Sequence, residues 1–453
     1  MEKNRFVTTL IIVIILLLLN TSQVLANPEN NYISEQNLES HDENSNYIDE
    51  ENYPTMKPIP IDSPKHIPKT FSINLIDTPQ EFSWKNYNGK DWTTPAKNQG
   101  HCGSCWLFSG MGALESVINI RENCAELNPD LSEQYVLSCM PMAGSCSGGN
   151  VDNCVFYFIN DTSSEGNYRN GVTTEEYFAY ESSFDYIPPC SDKTDDWEKY
   201  LVPILTYEES WNYFNIPDMK DTIKSLVYQK GPIMAYFWVS ERFITWGTYH
   251  RLPSQYYHDI NEECPYFVNH GITVVGWKDD PSIGNGGYWI CKNTWGEDWG
   301  YDGFFNIEYD CLNLGGFIAW VDYDPESYDW GPTAPTINGP TNGRALEEYD
   351  YSFTSIDPDG NDDIYYYINW DDGTVEEWIG PYKTGETINI KHTFEENKNY
   401  NIRAKTKDIN GRESSWTLLE FSMTKNKMIH PFFNIIKNDN NILLIIRQIL
   451  GFE

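Results

Sequence analysis

Basic residues are scarce in this 453-residue chain: 31 Lys and Arg stand against 67 Asp and Glu, for a net charge of −36. No basic stripe interrupts that balance. A surface of this sign repels phosphate backbones, so nucleic acid is excluded as a partner. Histidine is rare, at 8, and cysteine is absent before Cys102 and after Cys311, so all 10 cysteines fall in one stretch. Beyond the N-terminus, no apolar run reaches the ~20 residues that span a bilayer. What remains is an acidic chain with one cysteine-bearing unit between cysteine-free flanks.

The N-terminus indicates the compartment. Lys3 and Arg5 precede the almost unbroken apolar run Phe6 to Leu19, and small or apolar residues follow at Val24 and Ala26. Residues 1–26 therefore read as a secretory signal, with an uncleaved anchor as the rival. Export makes disulfides permissible and predicts a secreted or cell-surface protein. Residues 27–80 are rich in Asn, Glu, Asp and Ser and read as a leader or pro-segment, largely disordered. Residues 81–330 have globular composition. The Pro- and Gly-rich stretch 331–345 reads as a linker. Residues 346–425 alternate short strand-like runs with Asp/Gly turns, which predicts an antiparallel β-sandwich. The apolar tail 426–453 packs on that module, lies on a membrane or acts as a sorting signal; the residues do not choose.

The chemistry concentrates in "NQGHCGSCW", Asn98 to Trp106. A Cys-x-x-Cys pair can be a redox couple, half a zinc site, or one structural cysteine beside a reactive one. Redox use needs a preceding β-strand, and the upstream sequence is polar and turn-like. Zinc needs a second ligand pair, and none follows. Leu107, Phe108, Met111, Leu114, Val117 and Ile118 recur at helical spacing, with Ser104 where an N-cap would sit. Cys105 thus opens a helix, at the end that favours a thiolate. Downstream, His270 stands at the head of an apolar β-like run, and Asn293 ends a second one. Nucleophile, base and orienting amide follow one another along the chain. The other histidines have no comparable orienting partner in the sequence.

Gln99, "CGSCW", "CSGG" at Cys146–Gly149, His270 before its strand, and "YWICKNTWG" together resemble the papain-like cysteine peptidases (the papain/cathepsin family), over about Phe82 to Tyr323. The resemblance implies an α+β, two-lobed peptidase over 81–330, with a helical lobe and a β-barrel-like lobe. It implies Cys105 as nucleophile, His270 as acid/base, Asn293 as its orienter and Gln99 as an oxyanion donor. Trp295 would shield the Asn–His hydrogen bond. Gly148 and Gly149 would offer backbone to an extended substrate, and Val268 and Asn269 would shape a subsite with an apolar preference. The family pattern pairs Cys102 with Cys146, Cys139 with Cys190 and Cys264 with Cys311. Cys124 and Cys154 remain and are expected to pair, and Cys291 to stay a buried thiol. No metal or organic cofactor is expected.

Four departures stand out. Leu107 replaces a small residue and Thr294 a serine. The long Cys105–His270 separation calls for insertions near 161–174 and 238–263. The leader lacks a long helical inhibitory region, which leaves its means of latency open. The C-terminal module resembles PKD and fibronectin-like sandwiches. Asp357, Asp359 and Asn361 fit plain turns better than a calcium loop, since Asp362 and Ile368 break the EF-hand pattern. The module binds a surface, a protein or a polysaccharide, or only spaces the catalytic unit. The expectation is a monomeric, secreted cysteine endopeptidase acting on polypeptides. The competing class is a non-catalytic surface-binding or adhesion protein on the same scaffold.

Overall fold

The computed structural model describes residues 54–60, 74–149, 154–160, 171–183, 185–211, 219–258, 267–360 and 363–423. The signal, the C-terminal tail, Cys264, Asn361 and most of the expected 161–174 insertion lie outside them. Among the described residues no helix is long and apolar enough to cross a membrane.

The Cys105–Arg121 helix runs through the middle of the first unit and is buried on almost every side. The sequence explains how it can be. Gly110 lets the Val155–Ile159 helix approach so closely that a Cβ would stand 2.5 Å from Val155 Cγ1. On another side, the Thr273 hydroxyl donates to the Ser109 carbonyl at 2.9 Å, fixing the helix to the His270–Asp279 strand. The polar residues this buries are paired. Glu115 accepts from Lys97 at 2.7 Å, from Thr94 at 2.7 Å and from the Leu131 N–H at 3.0 Å. A helix flanked on all sides needs more than one apolar stripe, so helical periodicity captures only part of its buried surface.

The second lobe is an antiparallel sheet. Its strands lie in the order Phe304–Glu308, Gly287–Lys292, His270–Asp279, Ile233–Phe237, Phe317–Asp322, Thr206–Trp211, and Glu81–Ser83 adds to the His270–Asp279 strand. Phe237 pairs with His270, so the register sets the histidine at the rim where the strand meets the helix. The 238–263 insertion is not simply a polar loop: Ser240 caps a helix over Glu241–Tyr249 by accepting from Phe243 N.

The C-terminal module is a β-sandwich of three and five strands. Strict alternation buries Ile364, Tyr366 and Ile368 from one strand and Tyr400, Ile402 and Ala404 from its neighbour. Thr336–Asn338 and Asn342–Gly343 are already strands of this sandwich, although they fall inside the stretch expected to be linker. Pro and Gly density hid two short edge segments that keep only Ile337 in the core. Polar and aromatic contacts tie module to peptidase. Arg412 Nε donates to Asp329 Oδ2 at 3.1 Å, its Nη1 donates to the Tyr328 hydroxyl at 3.0 Å, and its guanidinium stacks over the Tyr328 ring.

Candidate functional site

The lobes meet where the N-terminus of the Cys105–Arg121 helix abuts the head of the His270–Asp279 strand. A Cβ on Gly271 would lie 2.8 Å from the Cys105 carbonyl oxygen, so only glycine permits this approach. His270 Nε2 is 2.8 Å from Asn293 Oδ1. That oxygen also accepts from the Thr294 N–H at 2.9 Å, which fixes the amide's orientation and makes Nε2 the protonated ring nitrogen. Nδ1 is then an unprotonated, buried acceptor with no hydrogen-bond partner, as a base requires. Trp295 packs on the imidazole with ring centroids 4.5 Å apart.

Gln99 is fully buried beside them. Its Oε1 accepts from the Thr294 hydroxyl at 2.5 Å, and its Nε2 donates to Cys102 O at 2.7 Å and to Pro54 O at 3.0 Å. Thr294, read from sequence only as a mild departure, therefore aims the Gln99 amide. Cys102 is bonded to Cys146 and Cys139 to Cys190, while Cys105 is free. Cys291 is a buried thiol in its strand. Cys124 and Cys154 do not pair. Cys124 follows the far end of the central helix, and Cys154 caps the short helix that packs on Gly110. Eleven residues of helix, from Gly110 to Arg121, at about 1.5 Å each separate those levels, against a Cα–Cα limit of about 7 Å for a disulfide.

The structure also places in the cleft a segment that composition had classed with a disordered leader. Pro54–Pro60 runs through it in extended form. Met56 N donates to Asn269 O at 2.9 Å, Lys57 N donates to Ser147 O at 3.0 Å, and Ile59 pairs with Val268. Met56 and Ile59 are buried in the core while Lys57 is exposed. A Cβ on Gly148 would stand 3.2 Å from Met56 Cβ, so the glycine lets this backbone pass. The extended chain bonds to the carbonyl of Ser147, one residue before the predicted Gly148–Gly149 pair. A side chain on Gly149 would strike the Trp106 ring instead. Val268 faces the segment, but the Asn269 side chain is spent on the backbone of Val239, at 2.6 and 3.2 Å, and leaves only its carbonyl to the cleft.

Burial sets the electrostatics. Burial pushes the Cys105 thiol up to about 11, outweighing backbone donors from Gly271 and Met56 that favour the thiolate. Burial likewise pulls His270 down to about 4, against the Asn293 hydrogen bond. Near neutral pH both groups are therefore uncharged in this state. The lowered thiol that a helix N-terminus implies does not hold here, because desolvation exceeds the dipole's contribution. Two other histidines do have carboxylate partners: His258 with Glu308, and His392 with Asp372 at 2.7 Å. Neither lies in the cleft. Among the described residues, no three His, Cys, Asp or Glu side chains are grouped to hold a metal.

The profile of the papain family cysteine proteases matches residues 78–316, just over half of the chain. The chain belongs to that family. It is 28% identical to mouse cathepsin J over 265 residues, covering 57% of this chain and 68% of that protein. It is 27% identical to fruit bromelain of Ananas comosus over 277 residues, covering 61% and 65%. The chain thus spans about two thirds of the length of these relatives. Among solved structures, the PKD domain of an M14-like peptidase from a Thermoplasmatales archaeon is 48% identical, covering 22% of this chain and 100% of that one, with a TM-score of 0.21. The papain-type unit here presents its candidate thiol and imidazole from different lobes.

Proposed function

We propose that the protein is an exported cysteine endopeptidase, made as a zymogen, that hydrolyses polypeptides through Cys105, His270, Asn293 and Gln99. The observation that carries the reading is the buried His270 ring. Asn293 holds it in the tautomer that leaves Nδ1 free, and the next residue, Gly271, packs on the backbone of Cys105, which opens the central helix. In the open cleft the Cys105 proton passes to His270 Nδ1, giving a thiolate and an imidazolium. The thiolate attacks the scissile carbonyl carbon. The imidazolium then protonates the departing amine as the C–N bond breaks, leaving a thioester. Neutral His270 next takes a proton from water, whose oxygen attacks the thioester, and the proton returns to sulfur as the acid leaves. The Gln99 amide and the Cys105 backbone N–H stabilise the oxyanion in both halves. Support for the Gln99 role is that its Nε2 already donates to a carbonyl oxygen in the cleft, that of Pro54.

The zymogen reading is supported by Pro54–Pro60 lying over the thiol. The same strand supports an apolar preference in the pocket beside Val268, where Met56 is buried. The secreted location follows from the N-terminal signal pattern. For the module, Tyr367 packs against Trp378 and Trp416 at 5.5 and 5.8 Å, with Lys407 4.2 Å over Trp378, an aromatic face that favours polysaccharide or surface binding over spacing alone. The decisive test is turnover of fluorogenic peptides in mild reductant beside Cys105→Ala. Equal turnover by both removes the peptidase reading, and a thiol-directed affinity label falling on Cys291 rather than Cys105 reassigns the nucleophile.

A further inference from the structure

Tyr180 lies outside the cleft, yet its hydroxyl touches both pieces of chain that carry the oxyanion donors. It donates to the Gln99 backbone carbonyl at 2.9 Å. It also stands 3.0 Å from Ser104 Oγ, on the residue just before Cys105. A phenol has one proton to give. With that proton on Gln99 O, the Ser104 hydroxyl is the donor to the Tyr180 oxygen. This accounts for a second oddity: Ser104 occupies the N-cap position of the central helix, but its side chain makes no cap hydrogen bond. The serine is engaged by the tyrosine instead.

Tyr180 is itself held firmly. Its ring meets Phe108 edge-on at 4.9 Å, and its N–H donates to Glu175 Oε1 at 2.6 Å. Gln134 Oε1 accepts from the next two residues, Glu181 N and Ser182 Oγ, both at 3.0 Å. Burial raises the phenol well above its ordinary range, so it stays protonated and remains a donor. The Gln99 backbone has one further support, its N–H donating to Thr294 O at 2.9 Å.

We propose that Tyr180 is a positioning residue for the oxyanion hole: its hydroxyl fixes the Gln99 backbone relative to Ser104, so that the Gln99 side-chain amide and the Cys105 backbone N–H converge on one oxygen. The proposal rests on the roles given above to Gln99 and Cys105. Tyr180 never meets the substrate and acts through its two neighbours. An oxyanion donor acts only when correctly placed, so a small shift affects the transition state more than the bound substrate.

The test is Tyr180→Phe in the full chain after activation, with kcat expressed per site titrated by an irreversible thiol label. The ring and its Phe108 contact survive; only the hydroxyl goes. We expect kcat to fall about tenfold, equivalent to about 1.4 kcal/mol, with KM within about twofold. In a Gln99→Ala background the same change should cost less than about twofold, since the group it positions is gone. Ser104→Ala, which keeps the Gln99 contact, should lower kcat about threefold and serves if Tyr180→Phe folds poorly. Unchanged kcat per titrated site in both variants overturns the proposal. So does an equal loss in the presence and absence of Gln99, which marks a general structural role. Full activity of Gln99→Ala itself removes the oxyanion reading and the tyrosine's role with it, an outcome distinct from a Gln99→Ala loss that Tyr180→Phe does not share.

Discussion

The strand over Cys105 should act in trans. A peptide of residues 54–60 keeps the three contacts that fix it: Met56 N to Asn269 O, Lys57 N to Ser147 O, and Pro54 O to Gln99 Nε2. Pro54, Pro58 and Pro60 hold it extended before it binds, which lowers the ordering cost. Met56 is 1% exposed. Truncating a buried Met to Ala costs about 2–5 kcal/mol in cores, and the low end, about 2–3, suits a cleft that can partly collapse. At about 1.4 kcal/mol per factor of ten, Met56→Ala should weaken inhibition about 30- to 150-fold. Lys57 contributes its backbone N–H and an exposed side chain, so Lys57→Ala should change the inhibition constant less than about threefold. The assay is competitive inhibition of the activated peptidase by the parent peptide and its two variants. Equal potency of parent and Met56→Ala would refute the argument, as would a comparable loss for Lys57→Ala.

Acidification should open the covered form. His270 takes its proton at about 4 in this state against an ordinary 6.5, so the stability this provides is full above 6.5 and lost as pH falls towards 4. The whole gap is worth about 3 kcal/mol, and alkylation of Cys105 in the uncleaved chain by a neutral reagent should accelerate across that window. Glu115→Ala should cost about 1–3 kcal/mol by leaving the Leu131 N–H and the Thr94 hydroxyl without their acceptor, while Lys97 keeps Glu133 and Asp130, read as a lower urea midpoint at constant slope. Arg412→Ala removes contacts to Asp329, Tyr328 and Tyr200 between module and peptidase, and calorimetry should then show two separated transitions where the parent unfolds more cooperatively.

Much of the site was legible because its chemistry is local. Cys105 opens a helix with apolar spacing, His270 heads an apolar strand, and Asn293 closes the next one. Each can be read in a window of a dozen residues. The β-module was legible from alternation in runs such as "IYYYINW". What escaped reading was long-range or averaged away. Seven residues of "PTMKPIP" carry two apolar side chains inside a 54-residue leader rich in Asn, Glu, Asp and Ser, so composition could not separate them. Thr294 and Tyr180 act on Gln99 from 195 and 81 residues away, through single hydroxyls that leave no periodic trace. The Cys124–Cys154 pairing failed for the opposite reason: counting leftover cysteines ignores the length of helix between them.

The state of the thiol ties these observations together. A helix N-terminus favours an anion by up to about 2 kcal/mol in a partly buried site. Burial exceeds that and sets Cys105 at about 11 and His270 at about 4, although the Met56 N–H is among the backbone donors that favour the thiolate. Proton transfer from sulfur to imidazole is therefore unfavourable while the strand is in place. Removing the strand re-exposes the sulfur to water but leaves the helix end and the Asn293 bond unchanged. The thiol then falls, the imidazole rises, and the order of the two reverses once hydration outweighs what remains of the desolvation. On this argument the buried thiol stays protonated, so that a small reagent able to slip past Pro54–Pro60 would meet a thiol rather than a thiolate.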